Sequence, residues 1–211
     1  MTNIAPPLLL GRKTSSNVQK ALWCFEELGR SFVREDYGGP FGRNRDPAYL
    51  ALNPNGVVPT LIDGDVVVWE SNTICRYLCN RFGPAPIYPV DAATRARCEM
   101  WMDWQLSTLG PVMAPLYIGL IRTPAEQRDA AAIAVLAERA ATLFGVADSA
   151  LAERDFLAGE TMTLADMVVG ILTYRWRNLD VSRPAMPRLD AWFTRLEERP
   201  GFQRHVAIGL I

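Results

Sequence analysis

Three short runs carry residue types suited to chemistry. Thr14-Ser15-Ser16-Asn17 stands between an apolar run, Leu8-Leu9-Leu10, and a helical pattern beginning at Val18. Unpaired backbone amides and the positive end of the helix dipole make such a junction an anion site. A hydroxyl there either caps the helix or donates to a thiolate, and a sulfur held at that position has its pKa lowered from about 8.5. The second run is Asn53-Pro54-Asn55-Gly56-Val57-Val58-Pro59-Thr60-Leu61. Pro59 cannot donate to a strand ladder, so it marks an edge or a bulge. A cis Val58-Pro59 bond would turn the Val58 amide and carbonyl outward to pair with an extended peptide, and a plain edge-strand proline is the other reading. In the third run, Glu70-Ser71-Asn72, Ser71 can cap a helix or hold a ligand carboxylate, and Glu70 can meet an ammonium.

Other chemistries are disfavoured by composition. The single histidine, His205, excludes mechanisms and metal sites that need two imidazoles, and it reads as a surface or core-edge residue; no metal is expected. Cys24, Cys75, Cys79 and Cys98 contain no C-x-x-C pair and read as buried thiols of a reducing compartment. With 22 basic against 23 acidic side chains, the chain has no electrostatic footprint for nucleic acid or for an acidic membrane. Met1 to Pro7 has no basic leader pattern, and no apolar run reaches the roughly 18 residues of a spanning helix. The expected location is cytoplasmic.

The elements that must position these runs follow from periodicity. A chain of 211 residues, 49% apolar and 21% charged, has room for one or two globular domains. Leu8–Leu10 is a short strand. Val18, Ala21, Leu22, Phe25 and Leu28 have helical spacing, closed by Gly29, and Phe32-Val33 begins another strand. Val57–Ile62, the Asp63-Gly64 turn and Val66–Trp69 form a hairpin, followed by a helix over 71–81. Gly83-Pro84-Ala85-Pro86 and Pro89 forbid regular structure, which predicts a domain over 1–83, a linker over 84–90 and a second domain over 91–211. The second domain shows only helical spacing. Asp91 caps a helix through Cys98, Trp101, Met102 and Leu109, which Pro111 and Pro115 kink or end. Thr123-Pro124-Ala125-Glu126 is a capping signal for the stripe Ile133, Leu136, Ala140 and Leu143, and Thr163-Leu164-Ala165-Asp166 is a second capping box, with Met162 placed to staple against Met167. A last helix carries Leu189, Trp192, Phe193 and Leu196 and stops at Pro200-Gly201.

Taken in order, Ser15-Ser16-Asn17, the helix ending Glu26-Glu27-Leu28-Gly29, Asn53-Pro54-x-Gly56-x-Val58-Pro59, Glu70-Ser71 and Thr163-Leu164-Ala165-Asp166 resemble the cytosolic glutathione S-transferases across nearly the whole chain. The likeness is to serine-type, theta- or phi-like bacterial members. It implies an α/β thioredoxin-like N-terminal domain that binds glutathione as co-substrate and an all-α C-terminal domain that covers a small hydrophobic electrophile. It also implies a homodimer. By the same resemblance Ser15 donates to the glutathione sulfur, Val58 pairs with the cysteinyl unit, Pro59 is the cis proline, Glu70 and Ser71 hold the γ-glutamyl end, and Arg45 meets the glycine carboxylate. Trp101, Trp104 and Tyr117 are candidate acceptor walls or plain packing residues.

Two departures leave the class open. Val57 replaces the Gln that some classes use toward glutathione, and Asn17 falls where certain bacterial relatives use Asn in disulfide reduction. The activity that the resemblance implies, with Ser15 at the sulfur, is glutathione conjugation. The rivals are a glutathione-dependent disulfide reductase or peroxidase on the same cleft and a non-catalytic ligand-binding module.

Overall fold

The computed structural model describes residues 5–210; the start of the Met1 to Pro7 segment lies outside them. β1 (Leu8–Leu10) buries Leu9 and Leu10 and runs parallel to β2 (Val33–Glu35), with Leu8 opposite Val33. Between them α1 (Ser16–Glu27) buries every residue from Val18 to Phe25. It ends as its sequence requires. Gly29 adopts φ 60°, its amide bonds the Glu26 carbonyl at 3.0 Å, and the Arg30 amide bonds the Phe25 carbonyl at 3.0 Å, which is the paired closure a left-handed glycine permits. The second strand starts one residue later than Phe32, whose ring stacks on Phe25 with centroids 4.6 Å apart.

A short helix α2 (Pro47–Leu50) leads to β3 (Thr60–Asp63), which is antiparallel to β1 and joined to β4 (Val66–Trp69) by the expected turn, with Gly64 at φ 59°. The sheet order is β2-β1-β3-β4. β3 begins at Thr60 rather than Val57, since the Val57 carbonyl is taken by Tyr49 Oη at 2.6 Å and by Asn53 Nδ2 at 2.9 Å. α3 (Ser71–Phe82) closes this domain. Ser71 is not its cap: Glu70 occupies the capping position at φ 68°, and Ser71 is the first helical residue.

Residues 84–91 contain no helix or strand, and the Ile87 carbonyl accepts from the Leu164 amide at 2.8 Å, which pins the linker to the second domain. Asp91 caps α4 (Ala92–Trp104) by accepting from the Ala93 and Thr94 amides, as expected. Pro111 and Pro115 do not end the helical run. The chain widens into a π-helical turn over Gln105–Leu109, continues as α5 (Gly110–Tyr117), and widens again over Ile118–Arg122. Such turns absorb the donors that proline lacks and re-aim the side chains around them.

The Thr123 capping expectation is overturned. Thr123 lies extended with its hydroxyl donating to the Ile118 carbonyl at 3.0 Å, a 3₁₀ turn follows over Ala125–Gln127, and Asp129 caps α6 (Ala130–Ala150) through the Ala132 amide. Counter to the sequence reading, α6 is long and apolar enough by length and composition to cross a membrane. Glu138 and Arg139 sit near its middle, and Ala140, Phe144 and Ala147 pack into the bundle.

The Thr163–Asp166 capping box opens α7 (Leu164–Asn178). The Asp166 carboxylate is fully buried and accepts from the Leu157 and Thr163 amides at 2.8 and 2.7 Å, the Thr163 hydroxyl at 3.0 Å and Trp192 Nε1 at 2.9 Å. Burial raises its pKa and these donors oppose the rise. α8 (Pro187–Glu197) then stops where proline was expected to stop it, and α9 (Pro200–His205) begins there. α9 packs on α1: the fully buried Trp23 meets Phe202 edge-on at 5.4 Å, while Arg204 and Arg199 pair with Glu26 and Glu27. His205 lies at this core edge, with Nε2 3.5 Å from Glu26.

Candidate active site

The starts of α1 and α3 come together at the end of β1. Gly11, the residue after β1, lies so close to neighbouring chain that a Cβ there would be 2.5 Å from Val18 and 3.3 Å from Val58. This approach brings the Asn53–Pro59 loop against the Ser15 junction. Ser15 occupies the capping position before α1 with extended backbone, and its side chain makes no capping hydrogen bond. Its hydroxyl is therefore not spent on the helix.

The Val58-Pro59 bond is cis, and among the described residues the Val58 amide and carbonyl enter no backbone hydrogen bond. Arg45 is exposed and lies over Gly56, its guanidinium 2.7 Å from where a Cβ would be. Ser71 Oγ donates to Asn17 Oδ1 at 3.2 Å, so the two helix starts are joined side chain to side chain. Neither helix has an acidic residue within its first turn, although Glu70 occupies the capping position of α3. Glu70 is exposed beside them in a left-handed conformation that costs a non-glycine residue of order 1–3 kcal/mol.

Behind Ser71 lies Lys20, which the sequence reading passed over. It is fully buried on α1, and its ammonium donates to Gln105 Oε1 at 2.6 Å, Asn72 Oδ1 at 3.0 Å and Ser71 Oγ at 3.3 Å. Asn72 in turn donates to the Met102 carbonyl at 2.9 Å. All three acceptors are neutral. Burial accordingly lowers the Lys20 pKa to about 8, with Cys75 and Glu70 opposing. A signal existed in the sequence: Lys20 sits in the apolar run Val18–Phe25 with no acidic residue three or four positions away.

Two adjoining cavities lie between this junction and the helical domain. One, of about 140 Å³, is lined by Ser15, Ser16, Tyr117 and three arginines, Arg12, Arg122 and Arg175. The other, of about 330 Å³, shares Ser16, Ala114 and Arg175 with it and is walled by Leu106, Pro111, Met113 and Leu172. Tyr117 thus reaches the cleft, whereas Trp104 does not: it packs edge-on against Trp101 at 5.0 Å and lines neither cavity. A larger cavity of about 720 Å³ runs along α6 and holds none of the predicted site residues. All four cysteines are buried free thiols that line neither cavity, and Cys24, whose thiol donates to the Cys75 carbonyl and hydrogen-bonds with the Cys79 sulfur, has its pKa raised well above the ordinary value.

A small four-stranded sheet with a cis proline just before β3, joined to a helical bundle, is the fold of the glutathione S-transferase family, and the chain belongs to that family. Residues 14–81 match the family model of the glutathione S-transferase N-terminal domain, and residues 109–200 that of the C-terminal domain. The chain is 37% identical over 202 residues to glutathione S-transferase GstB of Escherichia coli strain K12, covering 95% of this chain and 97% of that one. It is 32% identical over 215 residues to glutathione S-transferase 3 of Zea mays, covering 97% and 95%. Among solved structures, the theta class glutathione S-transferase of Xanthomonas axonopodis pv. citri, with glutathione bound, superposes with a TM-score of 0.94 at 45% identity, over 98% of this chain and 100% of that one.

The buried ammonium has a measurable signature. The folded Lys20 pKa of about 8 lies below the ordinary 10.5, so the unfolded chain holds the extra proton between those values and this residue makes stability rise with pH across that window. Urea unfolding at about pH 7.5 and about pH 10 should show the rise in the wild type relative to Lys20→Met. The comparison cancels Cys24, whose raised pKa works in the opposite direction. An identical pH response in both proteins would contradict the burial of this charge.

Proposed function

We propose that this protein is a glutathione transferase that holds glutathione as its thiolate beside Ser15 and transfers the sulfur to an electrophilic carbon. The observation that carries the reading is the Ser15 hydroxyl: it sits at the positive end of α1, is uncommitted to capping, and borders a cavity under the helical domain. A donor held there stabilises a sulfur anion without reorganising as the reaction proceeds.

The rest of the tripeptide follows the surrounding groups. The free Val58 amide and carbonyl, next to Pro59, suit the cysteinyl backbone, as a strand edge suits a peptide. Ser71 and the start of α3 suit the γ-glutamyl carboxylate, Glu70 its ammonium, and Arg45 over Gly56 the glycine carboxylate. In the chemical step the thiolate attacks carbon, a C–S bond forms, and the leaving group departs into the cleft, with no covalent enzyme intermediate. Division into a glutathione domain over 1–83, a linker over 84–90 and an acceptor domain over 91–211 accords with this assignment. Tyr117 is the acceptor wall retained from the sequence reading. Asn17 is assigned a supporting part, since its amide oxygen is engaged by Ser71; the thiol-exchange alternative would instead need Asn17 at the sulfur.

Ser15→Ala should raise the pKa of bound glutathione, read from thiolate absorbance against pH, and lower aryl transfer by about 10²–10³. Asn17→Ala should do less. The reverse ranking would favour disulfide reduction, and silence of both variants with no acceptor turned over would leave a ligand-binding module.

We also propose a homodimer of two such chains. Val66, Val67 and Trp69 on the edge strand β4, and Val135 and Val146 on α6, leave apolar surface exposed on both domains that a second copy would cover. Light scattering at micromolar concentration should report about twice 23.5 kDa, and a monomer there would refute the assembly.

A further inference from the structure

Arg12, Arg122 and Arg175 converge on the cavity beside Ser15, although they come from three distant parts of the chain: the loop after β1, the second π-helical turn, and the last turn of α7. Several other arginines pair with carboxylates, Arg34 with Asp36, Arg81 with Asp63 and Arg204 with Glu26, while Arg95, Arg97 and Arg183 donate to backbone carbonyls. Among the described residues, none of the three around this cavity forms an ion pair. Arg175 donates to the Thr14 carbonyl at 3.0 Å, and both Arg175 and Arg122 lie over the Tyr117 ring, at 4.3 and 5.4 Å from its centroid. Arg12 is packed against the backbone of Gly39, where a Cβ would meet its guanidinium at 2.9 Å.

These contacts orient the guanidinium groups and leave their charge uncancelled. Burial lowers the Arg175 pKa to about 10, with Tyr117 opposing and Arg122 and Arg12 adding to the fall. Arg12 is lowered by burial and then by Arg122. Three like charges gathered at a partly desolvated cavity repel one another, and a bound anion relieves both costs at once. The adjoining cavity, walled by Leu106, Pro111, Met113 and Leu172, is apolar. An acceptor spanning the two would have an apolar body and an anionic group.

We infer that Arg12, Arg122 and Arg175 form an anion subsite that selects electrophiles bearing a carboxylate or a similar oxyanion, in place of a purely hydrophobic acceptor. This specificity rests on the transferase reading above. The reaction is unchanged in its balance: the thiolate forms the C–S bond, the halide leaves with the bonding pair, and the carboxylate only anchors the acceptor.

The test uses a matched pair of acceptors with one leaving group, 4-chloro-3-nitrobenzoate and 4-chloro-3-nitrobenzamide, at saturating glutathione. Each kcat/KM is divided by the uncatalysed rate for that acceptor. The wild type should favour the acid over the amide by about tenfold or more, the range of a hydrogen-bonded charge, and Arg122→Gln and Arg12→Gln should each collapse that ratio toward unity. Circular dichroism of each variant checks that the fold is kept. Equal use of the two acceptors by the wild type would overturn the subsite and leave the transferase standing. A ratio that survives both substitutions while the two rates fall together would also overturn it, assigning the arginines to the glutathione thiolate. Absence of turnover with either acceptor would remove the transferase reading, and the subsite with it.

Discussion

The cleft depends on one buried ammonium. Lys20 reaches from α1 to Asn72 and Ser71 at the start of α3 and to Gln105 at the first π-helical turn, so a single cation fixes three segments from two domains. Taking a lysine out of water is costly, and the three neutral oxygens offset that cost only in part, as the lowered pKa of about 8 shows. Keeping all three acceptors sets the relative position of the elements. If α3 or the π-helical turn moved away, the charge would lose an acceptor it cannot replace with water. Ser71 is therefore held between a donor behind it and Asn17 in front of it, with its oxygen turned toward the two helix starts.

The domains contribute opposite halves of the chemistry. The sheet domain supplies fixed dipoles and backbone groups: the N-termini of α1 and α3, the backbone at Val58 ahead of β3, and a hydroxyl at Ser15. These features suit a peptide with an anionic end and a thiolate. The helical domain supplies side chains that line the two cavities beside the Ser15 junction, Tyr117, Arg122 and Arg175 among them. Gln105 closes the Lys20 joint from one π-helical turn and Arg122 reaches the Ser15 cavity from the other.

Local signals were readable from the sequence and long-range charge was not. Gly29 closing α1, the Asp63-Gly64 turn and the Thr163–Asp166 capping box each depend on residues within a few positions of one another, and the structure contains all three. The helix starts at Ser15 and Ser71 were located, yet the capping position beside Ser71 belongs to Glu70, because the strand must reverse through a left-handed residue there. The Thr123 signal failed for a related reason: Pro124 and a 3₁₀ turn separate it from α6, and Asp129 is the acceptor nearer the helix. Lys20 and the arginine trio acquire meaning only from partners far along the chain, such as Gln105 for Lys20 and Thr14 for Arg175. Trp104 illustrates the converse, since an aromatic residue on the correct helix was turned to Trp101 by the helical phase.

The central claim is that the joined starts of α1 and α3 form the binding site for glutathione. Calorimetric titration of glutathione into the wild type and Ser71→Ala tests it most directly, because Ser71 touches both Lys20 and Asn17. The account predicts binding by the wild type and a loss of roughly 1.5–3 kcal/mol in the variant, the contribution of a hydrogen bond to a charged group. Equal affinity in the two proteins, with the fold intact, would contradict it.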